Sequence, residues 1–85
     1  MGTIKDYKEK KLLPPIGILV KTSENILRPD ECMGFLVIQK IISERKPNTN
    51  GKYIGYVPGS GGELWWIEHE DGTVGAYLFT EINDR

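Results

Sequence analysis

Cysteine is nearly absent: Cys32 is the only one in 85 residues. One thiol cannot close an intramolecular disulfide, so the chain is not a small secreted scaffold held together by bridges. Long apolar stretches are missing as well. No uninterrupted run exceeds five residues, far short of the roughly 20 that a membrane-spanning helix needs. Neither charge sign dominates. Eleven basic and twelve acidic side chains give a formal net charge of −1, which is not the balance of a protein that coats nucleic acid. Behind the charged start MGTIKDYKEKK there is no apolar stretch of a secretory signal, so a cytoplasmic setting is expected. The length excludes large multi-substrate enzymes and repeat arrays and leaves room for one domain with a thin core.

What charge there is divides unevenly. Residues 1–52 carry ten basic and six acidic groups, a balance of +4. Residues 53–85 carry Arg85 against Glu63, Glu68, Glu70, Asp71, Glu81 and Asp84, a balance of −5. Two halves of one fold that neutralise each other explain this most simply. Lys5, Lys8, Lys10 and Lys11 are interleaved with Asp6 and Glu9, which reads as a solvated arm with little phosphate affinity.

Residues 1–14 are expected to form that arm. Ile4, Tyr7, Lys8 and Leu12 give a faint helical spacing, with Thr3 placed to cap it. The short helix is expected to be frayed or weakly docked. Pro14-Pro15 then ends any helix and favours an extended chain.

Residues 15–85 follow the grammar of a β domain. Ile16–Val20 reads as a strand, residues 21–33 as a long loop, and Phe35–Ile42 as the richest β stretch. Asn50-Gly51 reads as a turn, Lys52–Val57 as the third strand, and Pro58–Gly62 as a flexible turn. Leu64–His69 and Thr73–Leu78 make a hairpin around Asp71-Gly72, the strongest turn signal in the chain. Phe79–Ile82 reads as a single 3₁₀ turn or loop closure. The expected fold class is therefore all-β: a small five-stranded barrel with a short N-terminal arm.

The run Trp65-Trp66-Ile67-Glu68-His69-Glu70-Asp71-Gly72-Thr73-Val74-Gly75-Ala76-Tyr77, closing on Glu81-Ile82, resembles the C-terminal half of SH3-like barrels. The resemblance covers about residues 52–82. Eukaryotic-type SH3 domains share Trp65-Trp66 and Gly75, but Leu78 and Glu81 stand where their ligand groove has Pro and Tyr. The Tudor and KOW branch fits without gaps through Ile67, His69, Asp71-Gly72, Tyr77 and Glu81-Ile82. The resemblance implies a fold, and leaves function to be argued from the site.

Side chains alternate along a strand. With Ile67 facing the core, Trp65 and His69 share its face, and Trp66 and Glu68 face outwards. The SH3 alignment would instead make Trp65 the ligand-facing residue; the Asp-Gly register favours Trp66. Tyr53, Tyr56 and Tyr77 lie on neighbouring strands and could join Trp66 in an aromatic patch, as SH3-like barrels use, with Glu68 and Glu70 at its rim. Such a patch suits a peptide, a methylated amine or a stacked base. The opposing expectation is that most of these rings are core.

Other chemistry is weakly signalled. His69, Glu68, Glu70 and Asp71 are close in sequence, but alternation points His69 away from Glu68 and Glu70, so no metal is expected. Cys32 and His69 sit on separate segments with nothing local to activate the thiol, so no catalysis is expected. Pro58–Gly62 lacks the lysine and the following helix of a phosphate-binding loop. No cofactor is expected.

The expected function is a non-catalytic interaction module for a protein or peptide partner, monomeric or weakly dimeric and off the membrane. In size and style the chain is similar to small bacterial or phage accessory proteins. The alternative is a nucleic-acid-binding barrel of the Tudor and KOW kind, in which Lys40, Arg45, Lys46 and Lys52 would converge on the aromatics.

Overall fold

A computed structural model describes residues 3–26 and 44–85. Its elements are α1 (Ile4–Lys10), β1 (Leu19–Thr22), β2 (Asn50–Tyr56), β3 (Leu64–His69), β4 (Val74–Leu78), a 3₁₀ turn (Phe79–Glu81) and β5 (Ile82–Asp84). The expected strand Phe35–Ile42, most of the expected loop 21–33, Cys32 and Lys40 lie outside the described residues.

The five strands form one antiparallel sheet in the order β4-β3-β2-β1-β5. Consecutive strands β4 and β5 thus lie at opposite ends of the order, yet only Phe79–Glu81 separates them. Four Cα steps reach at most about 14 Å. A flat sheet would put its outer strands about 19 Å apart. The sheet therefore curls until its two ends approach, and the concave side holds the core.

That core is built by alternation. Ile67 pairs with Tyr53 and Gly75, and Trp65 pairs with Tyr77 and Tyr56. Ile4, Val20, Tyr53, Trp65, Ile67, Tyr77 and Ile82 form one buried cluster. The convex side carries a second, smaller one of Val57, Leu64 and Ala76, with Trp66 and Leu78 packed against it.

The arm is tied down rather than frayed. Thr3 and Asp6 make a capping box: the Thr3 hydroxyl accepts from the Asp6 amide, and the Asp6 carboxylate accepts from the Thr3 amide. Such a cap stabilises a helix start by about 1 kcal/mol. Ile4 is wholly buried, worth about 1.5–3 kcal/mol. Its amide donates to Asp84 Oδ1 (2.7 Å), and Lys8 Nζ donates to the Ile82 carbonyl (2.7 Å). The short helix thus packs on the three-residue strand β5, where an open edge would invite pairing with other chains.

Boundaries differ from expectation at three places. β1 begins at Leu19, because Ile16 and Gly17 form a turn in which Gly17 has φ +97°. The turn expected at Asn50-Gly51 falls at Pro47-Asn48, and Gly51 is a buried strand residue. A Cβ there would lie 2.6 Å from the Glu68 carbonyl oxygen, so glycine is needed for close approach of the strands. Residues 82–84, expected within or after a closing turn, form β5 against β1.

Candidate functional site

Tyr53 and Tyr77, expected on an aromatic surface, are buried. Register explains both: they stand opposite Ile67 and Trp65 and therefore share the concave face. Tyr53 meets Trp65 edge-on at 5.2 Å between ring centroids. Trp65 is 2% exposed, and Trp66 lies on the other side, half-buried against Val57, Leu64 and Ala76. Tyr56 alone of the three strand tyrosines is exposed, at 46%.

The expected rim carboxylates are engaged. Glu68 pairs with Lys52 at 3.3 Å and Glu70 with Arg85 at 3.5 Å. The cations of the nucleic-acid alternative are engaged too. Arg45 forms a buried salt bridge with Glu81 (2.6 Å), donates to the Ala76 carbonyl (2.7 Å), and sits 5.0 Å from the Tyr77 ring centroid. Lys46 pairs with Asp71 and, at 3.8 Å, with Glu44. Segment 44–46 thus meets the β3–β4 hairpin through Lys46 and Asp71, and the 3₁₀ turn through Arg45 and Glu81.

His69 belongs to that junction. The Lys46 amide donates to Tyr77 Oη (2.6 Å), and Tyr77 Oη lies 2.6 Å from His69 Nε2. His69 Nδ1 lies 2.9 Å from Thr73 Oγ1, whose hydroxyl donates to Asp71 Oδ1 (2.6 Å). Because the Thr73 proton is committed to Asp71, Thr73 accepts from His69 Nδ1–H. His69 Nε2 is then left to accept from the Tyr77 hydroxyl at 2.6 Å, with the Lys46 carbonyl a longer second acceptor at 3.2 Å. Asp71 finally accepts from the Lys46 ammonium, so the chain of bonds returns to the residue where it began.

The charges of this ring follow from its surroundings. Burial pushes the His69 pKa below the ordinary imidazole value; the Lys46 charge adds to this and a hydrogen bond to Thr73 opposes it. Burial raises the Tyr77 hydroxyl to about 12. The Lys46 ammonium, then the Thr73 donors, hold the Asp71 carboxyl well below the usual range. His69 is neutral with both nitrogens occupied, which suits a clasp and leaves it nothing to offer a substrate. Among the described residues no group of three His, Cys, Asp or Glu could hold a metal ion.

Concavity lies elsewhere. A cleft of about 500 Å³ opens between the end of α1 and the loop before β3. Trp65 and Phe79 line it, with Leu12 and Leu13 on the helix side and Gly61 and Gly62 on the loop side. Leu12 and Leu13 are 54% and 43% exposed. Two features build the helix side. Lys11 takes a left-handed conformation (φ +55°) that ends the helix, with its amide donating to the Lys8 and Tyr7 carbonyls. The Leu12 amide then bonds the Tyr7 carbonyl (2.9 Å), turning the two leucines outward from the helix axis.

The loop side, expected to be a flexible turn, is pinned. Ser60 Oγ donates to the Val57 carbonyl (2.6 Å), and Trp65 Nε1 donates to the Gly62 carbonyl (2.9 Å). Gly59, Gly61 and Gly62 all have positive φ, which fixes the path while adding no side-chain bulk to the wall. The cleft residues escaped the sequence-based list, although Leu12-Leu13 gave a signal: two adjacent leucines in a charged arm, just before Pro14-Pro15.

Among the described residues no helix is long and apolar enough to cross a membrane. Comparison with known proteins gave no matching family model, no matching curated protein and no matching solved structure.

Proposed function

We propose that this protein is a small non-catalytic interaction module that holds a protein or peptide partner in the cleft between α1 and the Gly59–Gly62 loop. One observation carries the proposal. Leu12 and Leu13 stand half in water above the indole of Trp65 and the ring of Phe79, at a cleft of about 500 Å³. Cavities of roughly 300–1,000 Å³ with apolar walls are the usual size for small ligands and anchoring side chains. Covering the two leucines and the partly exposed Phe79 ring would remove apolar area from water without disturbing the fold.

The SH3-like resemblance belongs to the same proposal. It draws support from the curled five-stranded order and from the 3₁₀ turn joining its outer strands. A cytoplasmic setting also belongs to it and rests on the single cysteine. Tyr56 and the convex side of Trp66 remain a second contact area in this proposal. The carboxylates beside Arg45, Lys46 and Lys52 weigh against the nucleic-acid alternative, because phosphate would have to displace them.

The test is retention of a partner from nuclease-treated lysate on the immobilised chain, with Leu13→Asp as control. Leu13 is exposed, so the variant keeps the wild-type unfolding midpoint. A specific protein lost with Leu13→Asp supports the proposal. Retention indifferent to Leu13→Asp moves the contact to Tyr56 and Trp66, and retention abolished by nuclease moves the function to nucleic acid.

A further inference from the structure

Charge on the described surface is distributed in a way that selects the ligand. Arg45, Lys46, Lys52 and Arg85 each have a carboxylate partner. Lys8 and Lys11, which line the cleft, have none among the described residues; Lys5, Lys10 and Lys21 have none either but do not line it. Neither acid of α1 serves them: Asp6 is committed to the Thr3 amide, and Glu9 makes no ion pair among the described residues. Lys8 is also fixed in place. Its ammonium donates to the Ile82 carbonyl at 2.7 Å, so it presents a positive charge on a stem that has already lost its freedom. The single acid of the cleft, Glu63, is on the opposite wall beside Gly62.

The loop wall adds a second element. Among the described residues the amide N–H groups of Gly61 and Gly62 find no acceptor, while the neighbouring Ser60 and Glu63 amides are both bonded. Neither glycine has a Cβ, so a ligand main chain can approach this wall closely. A Cβ on Gly62 would come within 3.6 Å of Leu13 Cδ2, which shows how near the two walls stand.

Together these observations define an asymmetric cleft: aliphatic lips, an aromatic floor, positive charge on the helix side, and bare backbone with one acid on the loop side. We infer that the cleft binds an extended peptide in which a large apolar side chain is flanked on one side by Asp or Glu. The apolar side chain enters over Trp65 and Phe79 between Leu12 and Leu13. The carboxylate lies toward Lys8 and Lys11. Glu63 disfavours a second carboxylate on the loop side, so one orientation of the peptide is selected. The inference rests on the interaction-module proposal and names the chemistry of its partner.

A random octapeptide library displayed on phage and selected on the intact chain tests it. The expected pool carries Leu, Ile, Met or Phe next to Asp or Glu. A synthetic peptide taken from that pool should lose at least about fivefold in affinity with Lys11→Glu, as removal and reversal of a close charge demands. The same variant should favour the peptide whose acid is replaced by Lys. Leu13→Ser should weaken both peptides alike, and matching urea midpoints confirm that neither exposed substitution unfolds the chain. A pool of basic or uncharged sequences, or affinity within twofold of wild type in Lys11→Glu, overturns the inference and leaves the interaction module standing. A pool no richer than that from a blank surface overturns both.

Discussion

Replacing Tyr77 by Phe removes one oxygen and leaves the ring. The packing against Trp65, His69 and Arg45 is retained, so the loss isolates the hydroxyl. That oxygen accepts from the Lys46 amide and donates to His69 Nε2, both at 2.6 Å. Without it, a buried donor and a buried acceptor lose their partners at about 1–3 kcal/mol each. The expected cost at pH 7 is about 2–4 kcal/mol. A domain of this size has about 4–13 kcal/mol in total, so the variant should fold with a much lower urea midpoint.

The pH profile separates this account from a generic loss of packing. The Tyr77 pKa is raised from 10 to about 12 in the folded protein, so its contribution is complete below pH 10 and is lost as pH rises toward 12. Two pKa units correspond to about 3 kcal/mol. Wild type should therefore lose about 2 kcal/mol more than Tyr77→Phe between pH 10 and 12, the rest falling outside that window, with the other tyrosines common to both. On the acid side, the His69 pKa is lowered, so the unfolded chain takes up a proton first. Stability present above pH 6.5 is then lost as pH falls through the lowered value. Burial is the main cause and persists in Tyr77→Phe, so this acid-side loss should appear in both proteins. Urea titrations monitored by tryptophan fluorescence at pH 5, 7, 10 and 12 measure all of this. A loss below about 1 kcal/mol at pH 7, or parallel profiles across the whole range, would refute the hydrogen-bonded ring.

Other outcomes follow from neighbouring features. Gly75→Ala should be destabilising by about 1–3 kcal/mol or more in chemical denaturation, because the new methyl would overlap the Glu44 carbonyl oxygen and crowd Tyr77. Glu81→Gln should cost about 3–5 kcal/mol by leaving the Arg45 charge buried beside a neutral amide, and the double replacement by two methionines should recover much of it. Ile4→Ala should cost about 2–5 kcal/mol and raise amide exchange in α1 and β5 together. Lys52→Ala should change the midpoint by less than about 1 kcal/mol, since its pair with Glu68 stands in solvent.

What the sequence discloses about this fold depends on the range of the interaction. β3 runs from Leu64 to His69 as its alternation dictates, and Asp71-Gly72 turns the chain into β4 with Gly72 at φ +89°. These are local facts. β5 is three residues long and finds its place by pairing with β1, some 60 positions earlier, and by its bonds to α1, which no local pattern announces. The site shows the same division. Alternation within β3 separates Trp65 from Trp66 correctly. The faces of Tyr53 and Tyr77, however, depend on register between strands, and the bulge between Tyr53 and Gly55 shifts that register again. The cleft was least legible, because it joins residues near position 12 to others near 62 and 79 through tertiary contact alone.

The bond from the Ile4 amide to Asp84 spans 80 positions, and the one from Lys8 to Ile82 spans 74. During synthesis on the ribosome, α1 must therefore wait for β5, leaving Ile4 exposed until it emerges, although β1 can already pair with β2. Contacts of such long sequence separation also slow refolding. A circular permutant, with its ends joined by a short linker and opened in the Gly59–Gly62 loop, would turn these late contacts into early ones. It should refold faster than the natural order while dividing the cleft wall at the new termini, so speed of assembly and an intact binding cleft pull the chain order in opposite directions.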